Sequence, residues 1–150
     1  MIAVGEPAPD FELRDQDGEE VSLADYRGRR VMLVFYPGDF SPVCSDQLSL
    51  YQEVKPQIAD AGVELVGISV DSFFAHKAFQ RQLGIDTTLL SDFEPKGEVA
   101  KAYGSYVEGP GFANRTLVLI DENGLVAWTH ESPSPGEFPA TEILLGALAS

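Results

Sequence analysis

The chain has 150 residues, of which ten are Lys or Arg and 24 are Asp or Glu, so its formal net charge is −14. This charge argues against nucleic-acid binding, because phosphate contacts require basic side chains. It indicates a solvated acidic surface, with adaptation to high salt as the alternative interpretation. The length fits one domain over residues 1–150, and no apolar run approaches the ~20 residues of a membrane span.

The first half of the chain predicts short strands that alternate with helices. Residues 30–36 are apolar on both faces, as in a buried parallel strand. Pro56 is expected to kink or split the helix in which it lies. In the second helix we expect Phe74, Ala78 and Phe79 to face inward. The predicted elements are strands at 11–14, 21–23, 30–36 and 63–70, a helix over 44–61, and a helix that Asp71 or Ser72 caps and Gly84 ends.

The second half predicts a strand, a short helix, a hairpin and a terminal helix. The pair Asn123 and Gly124 is a strong hairpin signal between two apolar runs. Strands that alternate with helices and end in an antiparallel pair indicate an α/β protein with a mixed central sheet and helices on both faces. The predicted elements are strands at 88–90, 115–120 and 125–130, a helix from Pro95 or Lys96 to 103, and a helix from Pro139 or Ala140 to 148.

The one cysteine, Cys44, lies where a buried strand and its loop give way to a helix. The first N–H groups of a helix are unpaired and stabilise a thiolate there. A lone cysteine is more often a small buried hydrophobe, but this position favours a nucleophile. One cysteine excludes an intrachain disulfide and fits a reducing compartment. Since the N-terminus also lacks the basic and apolar regions of a signal peptide, we expect a cytoplasmic protein.

The residues around Cys44 resemble the active-site loop of peroxiredoxins, Pro-x-x-x-Thr/Ser-x-x-Cys. The resemblance extends over most of the chain and is closest to the bacterial one-cysteine branch, with members like alkyl hydroperoxide reductase E and the bacterioferritin comigratory protein. It implies a thioredoxin-like fold with an N-terminal β-hairpin extension. The matching segments are Pro37 with Ser41 and Cys44 in the loop, and residues 5–11, 68–72 with His76, 89–92 and 114–116 elsewhere.

The resemblance implies a thiol-dependent peroxidase that needs neither cofactor nor metal and reduces hydrogen peroxide, alkyl hydroperoxides or peroxynitrite. Cys44 would attack the peroxide and become a sulfenic acid. The Ser41 hydroxyl would bridge thiolate and peroxide, although a helix cap is its alternative role. Arg115 would stabilise the thiolate and the leaving oxygen, although it would otherwise pair with a surface carboxylate.

Three further residues complete the predicted site. Pro37 would wall the pocket and limit water, or be an ordinary loop proline. The backbone N–H groups near Val43 and Cys44 would hold the peroxide in line. Gln47, one helical turn after Cys44, would orient Arg115 or be solvated.

The resemblance also bears on how Cys44 is restored. In one branch of the family a resolving cysteine lies five residues after the first, and Ser49 occupies that position here, either naturally or as an engineered replacement. An external thiol is then required: thioredoxin, a glutaredoxin-like protein or a low-molecular-weight thiol. Relatives commonly form homodimers through the edge around the active-site loops, which is the expectation for this chain.

Other functions fit the sequence less well. A disulfide oxidoreductase needs Cys-x-x-Cys, and position 47 is Gln. His76 and His130 do not suggest a Cys-His hydrolase, and the two histidines and Cys44 show no metal-ligand spacing. The aromatic residues Phe73, Phe74, Phe79 and Trp128 are expected to belong to the core. The alternative from another class is a peroxide-sensing thiol protein that signals to a partner without efficient turnover.

Overall fold

Nine strands, five α-helices and one 3-10 helix make up the part of the chain that the computed structural model describes, residues 1–149. The strands are β1 (Glu12–Arg14), β2 (Glu20–Ser22), β3 (Arg30–Phe35), β4 (Val63–Ser69), β5 (Thr88–Ser91), β6 (Tyr106–Val107), β7 (Phe112–Ala113), β8 (Thr116–Ile120) and β9 (Val126–Glu131). The helices are α1 (Pro42–Glu53), α2 (Lys55–Asp60), α3 (Phe73–Leu83), α4 (Glu98–Ala102) and α5 (Thr141–Ala147), with the 3-10 helix at Leu23–Tyr26. None of these helices is long and apolar enough to cross a membrane.

Seven strands form one mixed sheet in the order β2-β1-β5-β4-β3-β8-β9. Strands β3, β4 and β5 are parallel to one another, and β8 runs antiparallel to β3. The N-terminal hairpin of β1 and β2 joins the sheet beside β5. The predicted thioredoxin-like fold, with its mixed sheet and N-terminal hairpin extension, is therefore confirmed. The separate pair of β6 and β7 was not predicted.

The core lies on both faces of the sheet, which explains the continuous apolar run of β3. Val31, Leu33 and Phe35 face a layer that contains the 3-10 helix, α4 and part of the N-terminal segment. Met32 and Val34 face the opposite layer, where α1, α2, α3 and α5 pack together. All five side chains are buried, and burial of one such side chain contributes roughly 1.5–3 kcal/mol.

The predicted helix at 44–61 is split, as Pro56 suggested. The first helix ends at Glu53, and Val54 separates it from α2, in which Pro56 lies in the first turn. Proline is tolerated there because the N–H groups of a first turn have no intrahelical partner. The first helix also begins two residues earlier than predicted, because Pro42 lies directly after the capping residue Ser41.

The inward face predicted for α3 is partly wrong. Phe79 is fully buried, but Phe74 is 75% exposed and Ala78 is exposed as well. The buried positions of this helix are His76 and Phe79, which lie three residues apart and share one face. The expectation that Phe74 belongs to the core is therefore wrong, while Phe73 and Trp128 are half-buried.

The short helix α4 occupies only the centre of the predicted range 95–103. Gly97 precedes it with a left-handed backbone, φ +73°. The carboxylate of Asp92 accepts hydrogen bonds from the N–H groups of Val99 at 3.0 Å and Ala100 at 2.9 Å. These contacts satisfy the first helical donors, so the helix starts at Glu98 instead of at Pro95 or Lys96.

Candidate active site

The loop at residues 37–41 connects the carboxyl end of β3 to the start of α1 and positions Cys44. The thiol lies in the first turn of α1 and is fully buried among the apolar residues between that helix and the sheet. Pro37 opens the loop and is half-buried. Because parallel strands β3 and β4 end at the same edge, the loop lies at the edge where α/β sheets place their sites.

Ser41 is the N-cap of α1. Its Oγ accepts a hydrogen bond from the Cys44 N–H at 3.2 Å, and its carbonyl accepts from the Ser45 N–H at 3.0 Å. A hydroxyl both donates and accepts, so the Ser41 O–H can still donate towards a ligand beside Cys44. The capping role is therefore observed, and the bridging role in catalysis stays a prediction.

The two backbone donors predicted to hold a peroxide differ in availability. The Cys44 N–H is taken up by Ser41 Oγ. Within residues 1–149, the Val43 N–H has no hydrogen-bond partner. Pro42, the residue before it, has no N–H at all, so Val43 supplies the first N–H group of the helix that a bound oxygen can meet.

Arg115 reaches the helix that carries Cys44 through Gln47. It directly precedes β8, whose first residue Thr116 pairs with Phe35 at the end of β3. Its Nη1 donates to Gln47 Oε1 at 2.8 Å, and its Nε donates to the carbonyl of Pro135 at 2.6 Å. Gln47 follows Cys44 by three residues, so the two side chains share one face of α1.

Gln47 is itself held in place. It is fully buried, and its Nε2 donates to the hydroxyl of Tyr51 at 3.4 Å, one further turn along α1. That hydroxyl donates to the carbonyl of Pro139 at 2.6 Å. Burial raises the pKa of Tyr51 to about 12, although Gln47 and the charge of Arg115 oppose the rise, so the phenol stays a neutral donor.

Both hydrogen-bond partners of Arg115 are neutral oxygens. The side chain is only 2% exposed, yet it forms no ion pair with a carboxylate in the described part of the chain. A buried cation without a counter-ion is costly, because desolvation is not repaid by a partner charge. A thiolate at Cys44 is an anion that such a cation stabilises.

A second polar cluster lies under the loop and was missed by the sequence analysis. Asp39 accepts from the Tyr36 hydroxyl at 2.7 Å and contacts His76 Nδ1 at 2.7 Å, with both Asp39 and His76 side chains at most 1% exposed. The Asp39 N–H donates to Asp71 Oδ2 at 2.8 Å. Ser69 Oγ donates to the same oxygen at 2.5 Å.

Burial raises the pKa of two groups in this cluster, Tyr36 and Asp71. Burial raises the pKa of Tyr36 well above its ordinary value, and the charge of Asp39 adds to the rise, so Tyr36 remains a donor. Burial also raises the pKa of Asp71, while the hydrogen bond from Ser69 opposes that rise.

Three residues of this cluster, Asp39, Asp71 and His76, are of types that bind metal ions and lie close together. The ligand atoms of Asp39, Asp71 and His76 lie within 4.8 Å of one another. The 2.7 Å contact between His76 Nδ1 and Asp39 Oδ2 has the length of a hydrogen bond. Ligand atoms about 2.0–2.1 Å from a tetrahedral zinc ion lie further apart than this, so the geometry favours a proton between the two atoms.

Phe40 has the backbone conformation that sequence reasoning did not anticipate. Its φ is +68°, which places a bulky residue in the left-handed region. Its ring is 47% exposed and packs edge-on against Phe79 of α3, with the ring centroids 5.1 Å apart. The only sequence signal was the position of Phe40 between two loop residues with capping side chains, which does not specify a sign of φ.

The remaining candidate residues lie as follows. Ser49 is half-buried on α1, and nothing in the structure distinguishes a natural serine from a replacement. His130 lies on β9 and stacks on Trp128 with the ring centroids 6.2 Å apart. His76 contacts Asp39 and the Leu90 carbonyl, which leaves both of its ring nitrogens engaged away from any hydrolase-like arrangement.

Comparison with known proteins gives consistent matches. Residues 4–129 match the model of the AhpC/TSA family. Alkyl hydroperoxide reductase E of Mycobacterium tuberculosis is 38% identical over 151 residues, covering 100% of this chain and 98% of that protein. Putative peroxiredoxin bcp of Coxiella burnetii is 39% identical over 132 residues, covering 84% of this chain and 86% of the relative.

Solved structures show the same likeness. The crystal structure of Enterococcus faecalis AhpC superposes with a TM-score of 0.91 at 28% identity, covering 99% of this chain and 92% of that one. Peroxidoxin BcpB from Mycobacterium tuberculosis superposes with a TM-score of 0.87 at 27% identity, covering 99% and 97%.

Proposed function

Because this chain belongs to the AhpC/TSA family of peroxiredoxins, it is a thiol-dependent peroxidase, and we propose that Cys44 is the residue that attacks the peroxide. The observation that carries the proposal is the position of this thiol. It lies in the first turn of α1, one turn before the residue that holds Arg115. Relatives named as reductases and peroxiredoxins favour this function over a peroxide sensor.

The first chemical step is an attack of the Cys44 thiolate on one peroxide oxygen. An S–O bond forms, the O–O bond breaks, and the second oxygen leaves with the bonding electron pair. Sulfur is oxidised to sulfenic acid, and the hydroperoxide is reduced to an alkoxide or hydroxide that takes up a proton to become an alcohol or water. With peroxynitrite the leaving group is nitrite. Arg115 carries a permanent charge that stabilises both the attacking thiolate and the departing oxygen.

Two groups of the loop support this step. The unpartnered Val43 N–H can donate to the bound peroxide, and the Ser41 hydroxyl can donate to the thiolate or to a peroxide oxygen. Gln47 orients Arg115 in this scheme and does not touch the substrate. Pro37 walls the loop entrance and limits water. Hydrogen peroxide, small alkyl hydroperoxides and peroxynitrite are the proposed substrates.

A second half of the cycle must restore Cys44. An external thiol attacks the sulfenic acid, which releases water and forms a mixed disulfide. A second thiol then breaks that disulfide and frees Cys44. Since Cys44 is the chain's one cysteine, thioredoxin, a glutaredoxin-like protein or a low-molecular-weight thiol is the proposed reductant, in a cytoplasmic setting that keeps thiols reduced.

We propose a homodimer formed through the edge around the active-site loop. Three large aromatic side chains near this edge are exposed: Phe40 at 47%, Phe74 at 75% and Phe93 at 54%. Phe74 and Phe93 line one surface groove, and solvated rings of this size favour burial against a partner. Sedimentation equilibrium of the whole chain measures the state directly.

The experiment that tests the function is intact-mass measurement after one equivalent of peroxide. We expect the wild-type chain to gain one oxygen and to lose it again when an excess of thiol is added, with many turnovers under continued supply. Cys44→Ser is expected to gain no oxygen and to reduce no peroxide. Wild-type protein that gains no oxygen, or a Cys44→Ser protein that keeps its turnover, would contradict the proposal.

A further inference from the structure

The buried cluster of Tyr36, Asp39, Asp71 and His76 lies under the loop that leads to Cys44. Asp39 lies in the loop itself, two residues before the helix cap Ser41. His76 lies on α3 and is fully buried. Two titratable groups contact this imidazole, Asp39 at 2.7 Å and Tyr36 at 3.5 Å. The carboxylate of Asp71 interacts with it through its charge.

Counting hydrogens shows that the Asp39–His76 pair shares a proton. His76 Nε2 lies 2.9 Å from the carbonyl oxygen of Leu90, and a carbonyl cannot donate, so Nε2 carries a hydrogen. Nδ1 then faces Asp39 Oδ2 at 2.7 Å. Without a hydrogen between them, two lone pairs would face each other at that distance. One proton therefore lies in this contact, on the imidazole or on the carboxyl.

Neighbouring residues hold Asp39 from several directions. Its two carboxyl oxygens are held by Tyr36, which directly follows β3, and by His76 from α3. Its backbone N–H is held by Asp71, which follows β4. Three separate elements of the core thus determine where this one loop residue lies, and all the contacts are between 2.7 and 2.8 Å.

What Asp39 fixes is the start of the strained part of the loop. Phe40 has φ +68°, and a left-handed backbone is unfavourable for a residue that carries a Cβ. Such a conformation persists only where the surroundings determine it. Asp39 holds it from one side and the Ser41 cap from the other, while Phe79, on the same face of α3 as His76, packs against the Phe40 ring.

We propose that Asp39 and His76 are positioning residues, which share one proton and hold the loop in the conformation that presents Ser41 and the Val43 N–H to the peroxide bound at Cys44. The proposal rests on Cys44 being the attacking residue. The pair carries no net charge and therefore acts through geometry. A peroxide must meet thiolate, hydroxyl and N–H together, whereas a simple alkylating agent needs only the thiolate.

This difference gives the test. The rate constants of Cys44 with hydrogen peroxide and with iodoacetamide are measured on each variant, and their ratio is the readout. In His76→Gln, one amide group cannot donate to both Leu90 and Asp39 in the places of the two ring nitrogens. We expect the ratio to fall about tenfold or more in His76→Gln and in Asp39→Ala, since small displacements of catalytic groups have effects of this size.

Asp39→Asn is the conservative rescue. Its amide can accept from Tyr36 and donate to a neutral His76, so the hydrogen-bond pattern is kept without a shared proton. We expect its ratio to stay within about threefold of wild type. The matched controls, His130→Gln on β9 and Asp60→Ala on the exposed end of α2, are expected to leave the ratio unchanged. If Asp39→Ala does not fold, His76→Gln and Asp39→Asn decide the outcome.

Two results would overturn the proposal. One is a folded His76→Gln protein whose ratio equals that of wild type. The other is an Asp39→Asn protein whose ratio falls as far as that of His76→Gln, because the preserved hydrogen bonds would then not hold the loop. Wild-type protein that forms no sulfenic acid would instead refute the proposed function, so the two failures are distinguishable.

Discussion

Two buried polar clusters flank Cys44, and they differ in charge. The Asp39–His76 pair lies under the loop and neutralises itself, because one proton is shared between an acid and a base. Arg115 lies beside α1 and meets only the neutral oxygens of Gln47 and Pro135. In the proposed mechanism one cluster fixes the backbone around the thiol, and the other supplies a positive charge to it.

The difference teaches which property each cluster contributes to the reaction. A pair without net charge has little effect on the electrostatic potential at Cys44. Its loss should instead disturb the alignment of Ser41 and the Val43 N–H with the peroxide. An unpaired buried guanidinium raises that potential, and its loss should disturb the thiolate and the leaving oxygen. Variants that change the charge or the hydrogen bonds of one cluster at a time separate the contribution of alignment from that of electrostatic stabilisation.

The largest effect is expected at Arg115. Arg115→Met removes the charge while keeping a long apolar stem, and leaves the oxygens of Gln47 and Pro135 without their donor. We expect the rate constant with hydrogen peroxide to fall about a hundred- to thousandfold, as for the loss of one main charge-stabilising group. Stopped-flow measurement of Cys44 oxidation gives this value.

The iodoacetamide rate constant tells which property was lost. Arg115→Met should lower it as well, since the variant lacks the buried cation that stabilises an attacking thiolate, whereas the variants of the Asp39–His76 pair should not. Arg81→Met on the exposed side of α3 is the matched control. A folded Arg115→Met protein with the peroxide rate of wild type would reduce Arg115 to a structural residue.

A smaller effect is expected at Gln47. Gln47→Glu places a carboxylate where Arg115 now meets a neutral oxygen, and so neutralises the available charge. We expect the peroxide rate constant to fall about tenfold, which corresponds to roughly 1.4 kcal/mol. Gln47→Leu removes the hydrogen bond without adding charge and should cost only about threefold.

The critical result is which of the two variants, Gln47→Glu or Gln47→Leu, has the lower rate constant with peroxide. Gln57→Glu, on the exposed side of α2, controls for the added charge elsewhere on the protein. If Gln47→Leu were slower than Gln47→Glu, the orientation of Arg115 would matter more than its charge, and the contrast between the two clusters would break down.

The residues of the Arg115 cluster could be named from the sequence, and those of the Asp39–His76 pair could not. Ser41, Cys44 and Gln47 are related by helical spacing, so local reasoning places them together. Arg115 is 68 residues beyond Gln47 and was named only through the family resemblance. The antiparallel pairing of β8 with β3 brings it to the site, and no local pattern specifies that pairing.

The Asp39–His76 pair depends on the rotation of α3, which the hydrophobic pattern assigned incorrectly. Phe74 and Phe79 together suggested an inward face, but Phe74 is exposed and the buried neighbour of Phe79 is a histidine. Periodicity of apolar residues cannot reveal a polar residue on the buried face. Its partner also lies 37 residues away, in a loop whose left-handed Phe40 no propensity predicts.

The smallest effect concerns Asp71, which supports the self-neutralised cluster from the side. Burial raises its pKa above the ordinary value of 3.8, with a further rise from the nearby charge of Asp39. The folded chain therefore binds this proton more tightly than the unfolded chain does. The stability that Asp71 contributes is present below pH 3.8 and is lost as the pH rises through the folded pKa, opposite to the usual carboxylate.

Asp71→Asn should remove this dependence, because its amide oxygen can still accept from the Asp39 N–H and from Ser69. We expect wild type to lose up to about 1 kcal/mol relative to Asp71→Asn as the pH rises from below 3.8 to neutral, a modest amount because Asp71 is partly solvated. Urea unfolding at several pH values measures it, with Asp60→Asn as the exposed control. If wild type instead gained stability relative to Asp71→Asn as the pH rises, the hydrogen bonds from Ser69 and Asp39 would outweigh burial. The cluster would then stabilise the charged carboxylate of Asp71, and the contrast with the charged Arg115 would be lost.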